Sequence, residues 1–115
     1  MNNQRKFPRA NYPCSLTIWQ QNGFETILAN TVNIGAGSLL VYLNQRLTAG
    51  AKVEIKIDFF KGTPFKCFGS VLCCEENENK LYAVVIIFEG LSETQTVTLQ
   101  GLVAELINLE KKKDH

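Results

Sequence analysis

The stretch VEIKIDF, residues 53–59, decides the fold class of this chain. Its apolar side chains occupy every second position, and charged side chains stand between them. Successive side chains of a β-strand point to opposite faces, so this alternation predicts a strand with one face in a core and the other in water. Antiparallel sheets commonly have one covered face and one solvated face, and such a sheet is therefore the expected setting.

Further strand patterns lie on both sides of this stretch. The sequence predicts strands over residues 14–19, 24–32, 39–43, 65–74 and 81–88. Turn-forming residues separate the strands, and Asn22-Gly23 in particular favours a hairpin. Six short strands at regular spacing predict a closed or nearly closed antiparallel β-barrel. Gly69 is a candidate for a bend or bulge within its strand.

An amphipathic helix is expected over residues 92–110, after the last strand. Ser92 and Gln95 have the spacing of a capping box, in which each side chain binds the backbone N–H of the other residue. The apolar side chains that recur at helical spacing are Leu99, Leu102, Val103, Leu106 and Leu109. This stripe predicts packing of the helix on the barrel, because the last strand is apolar on both faces and needs a cover. Contact with a partner helix is the alternative use of the stripe.

The chain has 115 residues, enough for one domain with one core. We expect a single domain over residues 1–115, with a flexible arm at 1–12, a barrel at 14–88 and the helix at 92–110. The arm is expected to be irregular because Pro8 and Pro13 restrict the backbone and lack N–H donors.

Composition argues against several classes of function. The formal net charge of +1 gives no broad positive field for a nucleic-acid polymer. No apolar segment approaches the roughly 20 residues that span a bilayer, so we expect no membrane insertion and a cytoplasmic location. The first residues also lack the apolar core of a signal peptide.

The sequence also supplies few groups for metal binding or catalysis. The four cysteines form no CxxC pair and the sole histidine is His115, so we expect neither a metal site nor a cofactor. Cys73 and Cys74 are adjacent in a predicted strand, so one is expected in the core and the other half exposed. No nucleophile stands beside a base in a supporting context, and we therefore expect no enzymatic activity.

Two arginines on the arm and a glycine-rich turn form a candidate ligand site. Arg5 and Arg9 frame the stretch RKFPR, and the stretch NIGAGS, residues 33–38, lies between the second and third strands. A guanidinium grips phosphate oxygens two at a time and also reads the O6/N7 edge of guanine. Such a pair beside a polar turn suits a small anionic purine ligand.

With these features the chain resembles the PilZ domain, a bacterial receptor module for cyclic di-GMP. Arg5 and Arg9 match the family's RxxxR motif, and Asn33 begins a stretch similar to its second motif, [D/N]xSxxG. Weaker similarities extend the resemblance over nearly the whole chain: Leu47 and Gly50 before VEI at 53–55, GSV at 69–71 and YAVVIIF at 82–88. The last of these strands usually carries a glycine in the family where this chain has Val85.

The resemblance implies a six-stranded barrel with a C-terminal helix and a role for each motif residue. Arg5 and Arg9 would clamp the ligand, and Asn33 would donate to and accept from a guanine edge. Beside the motif residues, Lys6 is a candidate for a supporting phosphate contact; the alternative is a solvated lysine. Binding would order the arm and change the surface that a protein partner meets.

The second motif departs from the family pattern at two positions. Gly35 replaces the serine, and a lost neutral hydrogen bond costs about 0.5–1.5 kcal/mol. Ser38 replaces the final glycine, and a left-handed backbone at that position would cost roughly 1–2 kcal/mol unless Gly37 absorbs part of the strain. These changes predict weakened binding; alternatively, Ser38 supplies the missing hydroxyl from a neighbouring position.

Two functions follow from these features. The first is a cyclic di-GMP receptor that passes the signal on through protein contacts. The alternative is an adaptor that does not bind the ligand and acts through protein contact alone, with the helix or Trp19 as the surface. Trp19 lies either outside the core or beneath the helix or arm, and oligomerisation through the helix is open in both cases.

Overall fold

The computed structural model describes residues 8–21, 23, 25–59 and 62–113. It confirms the predicted fold class, a six-stranded antiparallel barrel followed by one helix. The elements are β1 (Ser15–Gln20), β2 (Thr26–Ile34), β3 (Ser38–Leu43), β4 (Lys52–Asp58), β5 (Phe65–Glu76), β6 (Tyr82–Glu89) and α1 (Glu93–Lys113).

The sheet closes on itself in the order β1-β2-β3-β6-β5-β4, with every neighbouring pair antiparallel. The alternation in β4 follows the predicted pattern. Val53, Ile55 and Ile57 are fully buried inside the barrel, whereas Lys52 and Glu54 are exposed. Closure leaves the inward-facing side chains in one hydrophobic core, as the period-two pattern requires.

Two strands differ from the sequence prediction because each contains a register shift. In β2 the shift lies between Thr31 and Asn33, so that Asn33 pairs with Leu40 and belongs to the strand rather than to the turn. In β5 the shift lies between Val71 and Cys73, and the bulge predicted at Gly69 is wrong. At Gly69 an added Cβ would lie 2.8 Å from the Ile87 carbonyl oxygen, so this glycine permits close approach of β6.

The paired cysteines lie after the shift in β5. Cys73 and Cys74 are both half-buried, and Cys74 packs against the core cluster, so the expected inward cysteine is Cys74 although it is not fully buried. Cys14 and Cys67 are the buried thiols, and desolvation raises their pKa values to about 11 and about 12, although a hydrogen bond with Thr31 offsets part of the effect at Cys14.

Helix α1 begins at the predicted capping box. The Ser92 hydroxyl accepts from the Gln95 N–H at 3.0 Å, and the Gln95 side-chain oxygen accepts from the Ser92 N–H at 3.0 Å. Leu99, Val103 and Leu106 are buried in the barrel core cluster, which confirms the packing of the helix on the barrel. The helix continues three residues past the predicted end, to Lys113.

The end of the arm is attached to the barrel by backbone pairing. The Ala10 N–H donates to the Ile34 carbonyl at 2.8 Å, and the Ile34 N–H donates to the Ala10 carbonyl at 2.9 Å. Ala10 is fully buried, so the prediction of irregular structure over residues 1–12 is wrong at this position. The first seven residues of the predicted arm lie outside the described residues.

Three further observations bear on the sequence expectations. Within the part of the chain that the structure describes, no helix is long and apolar enough to cross a membrane. The same residues contain no group of three histidine, cysteine, aspartate or glutamate side chains arranged to hold a metal ion. Trp19 is half-buried in β1.

Candidate functional site

The guanidinium of Arg9 is the centre of the candidate site. Its Nε donates to the side-chain oxygen of Asn33 at 2.8 Å. Its two terminal nitrogens donate to Ser38, one to the hydroxyl at 3.0 Å and the other to the backbone carbonyl at 3.2 Å. Three of the residues singled out in the sequence, 24 and 29 positions apart, therefore meet in one hydrogen-bonded cluster.

Regular structure holds each member of this cluster in place. Arg9 precedes Ala10, whose backbone is paired with Ile34. Asn33 lies in β2 directly after the register shift, and Ser38 is the first residue of β3, paired with Ile87. Because strands fix their side chains more firmly than loops do, Asn33 and Ser38 are presented to Arg9 by the barrel itself.

The turn between β2 and β3 consists of residues 35–37 and passes close beneath the arm. A Cβ added at Gly35 would lie 3.1 Å from the Pro8 carbonyl oxygen and 3.2 Å from a terminal nitrogen of Arg9. The Gly35 N–H donates to the Ser38 carbonyl at 2.9 Å, which closes the turn. The absence of a side chain at Gly35 thus provides the space in which the arm lies.

The backbone at Ser38 is unstrained. Among the non-glycine residues that the structure describes, only Lys80 has a positive φ, of 64°. The backbone strain that was considered for Ser38, which replaces the last glycine of the motif, is therefore absent. Gly37 accordingly has no strain to relieve. The neighbouring carbonyl of Gly37 accepts from the Phe88 N–H at 3.0 Å, which ties the turn to β6.

The cluster contains the charge of the Arg9 guanidinium. The hydrogen bonds of Arg9 to Asn33 and Ser38 go to uncharged oxygen atoms. An arginine remains protonated at every pH that a folded protein tolerates. The site therefore offers a fixed cation beside amide and hydroxyl groups, a combination suited to a phosphate-containing ligand.

The structure brings together Arg9, Asn33, Gly35 and Ser38, with Gly37 in the same turn. Arg5 and Lys6, the other predicted site residues, lie outside the described residues. Sequence reasoning missed Ala10, because its pairing depends on the register of β2 and leaves no mark in the sequence.

The sequence also gave no sign of a cavity beside the site. This cavity, of about 170 Å³, is lined by Pro8 of the arm, Ala36 of the turn, and Gln100 and Val103 of α1. The arm, the turn and the helix therefore lie side by side around this cavity. The apolar stripe of the helix predicted that Val103 packs on the barrel. It made no prediction about the position of Val103 relative to the arm.

Comparisons with known proteins agree with this architecture. The PilZ domain of E. coli YcgR, whose structure contains cyclic di-GMP, matches with a TM-score of 0.82 at 13% identity, covering 97% of this chain and 98% of that chain. The MrkH–cyclic di-GMP complex of K. pneumonia matches with a TM-score of 0.74 at 13% identity, covering 98% of this chain and 57% of that chain.

The inhibitor of motility MotI of Bacillus subtilis matches with a TM-score of 0.75 at 13% identity over 90% of this chain. The chain spans 51% of the length of MotI, about half of that protein. No curated protein sequence matches the chain. At these identities the structural likeness establishes a shared fold.

The family assignment comes from the sequence itself. The family model for the PilZ domain matches residues 3–105, which include the RxxxR stretch, the turn between β2 and β3, the whole barrel and most of α1. A match of this extent, on a closed six-stranded barrel with a C-terminal helix, shows that the chain belongs to the PilZ domain family.

Proposed function

We propose that this chain is a receptor for cyclic di-GMP. The observation that carries the proposal is the contact of Arg9 with Asn33 and Ser38, which joins the two family motifs in one charged site. The presence of this ligand in the structures of the similar YcgR domain and MrkH supports the choice of ligand.

The chemistry of the site suits both parts of that ligand. Cyclic di-GMP carries two phosphates and two guanines, and arginine binds phosphate oxygens with paired donors and also stacks on flat rings. Arg9 supplies one such group in a defined orientation, and Arg5 supplies the second from the preceding segment. Asn33 contributes an amide that both donates and accepts, which is what a guanine edge requires.

We further propose that binding orders the segment carrying Arg5 and alters a surface that a protein partner recognises. The cavity lined by Pro8, Ala36, Gln100 and Val103 supports this route, because a movement of the arm there bears directly on α1. Val97 of the same helix is 65% exposed and offers an apolar contact to a partner or to a second copy of the chain.

Two observations favour the alternative of an adaptor that does not bind the ligand. Arg9 already donates three hydrogen bonds within the protein, and Gly35 lacks the hydroxyl that the family motif provides. In that case Arg9 serves to attach the arm, and α1 remains the surface for a partner.

Calorimetric titration of cyclic di-GMP into the wild type, Arg9→Ala and Arg46→Ala tests the proposal. Arg46 follows the far end of β3, and its guanidinium lies 5.2 Å from the centre of the Tyr82 ring, so its removal is a matched loss of one arginine away from the site. We expect saturable binding by the wild type and Arg46→Ala, and none by Arg9→Ala. Equal binding by Arg9→Ala would rule out this site, and a wild type that gives no heat of binding would favour the adaptor.

A further inference from the structure

We infer that Gly35 and Ser38 act together as a seat that positions Arg9, so that each of the two departures from the family motif favours the same placement of this side chain. Gly35 provides the space and Ser38 provides the hydrogen bonds. The consequence for ligand affinity rests on the proposed function, whereas the consequence for the arm does not.

Ser38 binds the end of the Arg9 guanidinium through two of its oxygen atoms. Its hydroxyl and its carbonyl each accept a hydrogen bond from a different terminal nitrogen of Arg9, at 3.0 Å and 3.2 Å. With the bond from Nε to Asn33, three donors of the guanidinium fork are fixed in direction. A glycine at position 38 would keep the carbonyl contact but lose the hydroxyl contact.

Gly35 leaves the space in which Pro8 and Arg9 lie. A Cβ at this position would lie 3.1 Å from the Pro8 carbonyl oxygen and 3.2 Å from the Arg9 nitrogen that binds the Ser38 hydroxyl. Separations between 3.0 and 3.4 Å are tighter than most contacts that a real Cβ makes, so the arm would have to shift. The backbone oxygen of Pro8 has little freedom to move, because Ala10 is paired with Ile34.

The two positions are therefore coupled through one nitrogen of Arg9. A serine at position 35 would crowd one terminal nitrogen of Arg9. A glycine at position 38 would remove the hydroxyl that binds the same nitrogen. Restoring the family order at both positions would thus impair the seat twice. The sequence Asn33-x-Gly35-x-x-Ser38 carries the hydroxyl and the small residue of the motif in exchanged places.

A positioned Arg9 lowers the cost of ligand binding. Fixing a long side chain when a ligand binds reduces affinity by about 3- to 10-fold, and a side chain held in advance avoids much of that loss. We therefore expect Ser38→Ala to weaken cyclic di-GMP binding by about 3- to 10-fold. Gly35→Ser, which restores the family residue, is expected to weaken binding as well.

Amide hydrogen exchange followed by NMR tests the seat without any ligand. Ala10 and Ile34 donate the two hydrogen bonds that attach the arm, and their exchange rates report its opening. We expect both rates to rise by about 3- to 10-fold in Ser38→Ala and in Gly35→Ala. Exchange at Val71, whose N–H binds the Ala51 carbonyl elsewhere in the barrel, should remain as in the wild type.

Two control variants match these substitutions. Gly101→Ala adds a methyl group on α1 where nothing lies within 4 Å, and Ser70→Ala removes a hydroxyl that donates to Glu89. Neither should change exchange at Ala10 or Ile34. Wild-type exchange at these two amides in Ser38→Ala and Gly35→Ala would overturn the inference.

The double variant Gly35→Ser/Ser38→Gly gives a second, independent test. We expect faster exchange at Ala10 than in Gly35→Ser or in Ser38→Gly alone, and an arm that is attached as firmly as in the wild type would contradict the exchanged roles. Titration of cyclic di-GMP into the same proteins separates the two proposals. Altered exchange without any heat of ligand binding would support the positioning of Arg9 by Gly35 and Ser38 and would refute the proposed receptor function. Ligand binding with unaltered exchange would support the receptor function and refute the positioning role.

Discussion

Replacing Arg9 by lysine separates the charge of this side chain from its shape. Arg9 donates from three nitrogens to the Asn33 oxygen and to two oxygens of Ser38, over distances of 2.8–3.2 Å. A lysine ammonium is a single point and cannot reproduce a planar fork. At most one of the three contacts should survive, so two hydrogen bonds are lost while the positive charge remains.

The magnitude follows from that count. A hydrogen bond within a protein contributes about 0.5–1.5 kcal/mol, so two lost bonds weaken the attachment of the arm by about 1–3 kcal/mol. Each kcal/mol that reaches the global unfolding equilibrium lowers the Tm of a small domain by about 4–8 °C. For the ligand, loss of a paired contact between guanidinium and phosphate is expected to weaken binding by about 1.5–3 kcal/mol, or roughly 10- to 150-fold.

Calorimetry with cyclic di-GMP and thermal melting without it measure the two effects separately. Arg46→Lys serves as the matched control, since Arg46 contacts the Tyr82 ring rather than the site. Affinity within twofold of the wild type in Arg9→Lys would contradict a role for the paired contacts, because charge alone would then account for binding. An unchanged Tm together with weakened binding would show that the three contacts do not stabilise the free protein.

Other predictions concern the barrel. Gly69→Ala should lower the free energy of unfolding in urea by about 1–3 kcal/mol, since its Cβ would lie 2.8 Å from β6, whereas Gly101→Ala should not destabilise the protein. Because burial raises their pKa values to about 11 and about 12, Cys14 and Cys67 should stay protonated and unreactive toward a thiol reagent at pH 8 until the protein unfolds; four fast-reacting thiols would contradict this. Lys80→Gly should relieve a positive φ of 64° and raise the unfolding free energy by up to about 1 kcal/mol, and a lower value would count against strain there.

The fold was predictable because local patterns determine its elements. The alternation over residues 53–59 gave β4, since a half-buried strand needs apolar side chains on one face only. The pair Ser92 and Gln95 located the start of α1, because a capping box acts between residues three apart. Interactions of this short range are visible in the sequence.

The parts that the sequence did not predict depend on pairing between distant segments. The bridge between Ala10 and Ile34 and the place of Asn33 within β2 both follow from strand register, which a single sequence does not specify. The shift after Val71 pairs Cys74 with the buried Val84, and Cys74 packs against the core, whereas the sequence did not specify which of the two adjacent cysteines faces inward.

The candidate site shows the same division. The residue types of the site were readable, because arginine, asparagine and a glycine turn have a recognisable chemistry. The sequence did not determine whether Ser38 contacts Arg9, because this contact requires the arm and the start of β3 to meet in space. A motif comparison alone counts Gly35 and Ser38 as two losses, whereas their positions around Arg9 give each of them a role.

Titration of the wild-type chain with cyclic di-GMP and, as a matched control, with cyclic di-AMP decides whether this PilZ domain is a cyclic di-GMP receptor. Both ligands carry the same two phosphates and differ in their bases. We expect saturable heat with the guanine ligand and much weaker binding of the adenine ligand. No saturable heat with cyclic di-GMP at several hundred micromolar, or equal binding of the two, would contradict the receptor function.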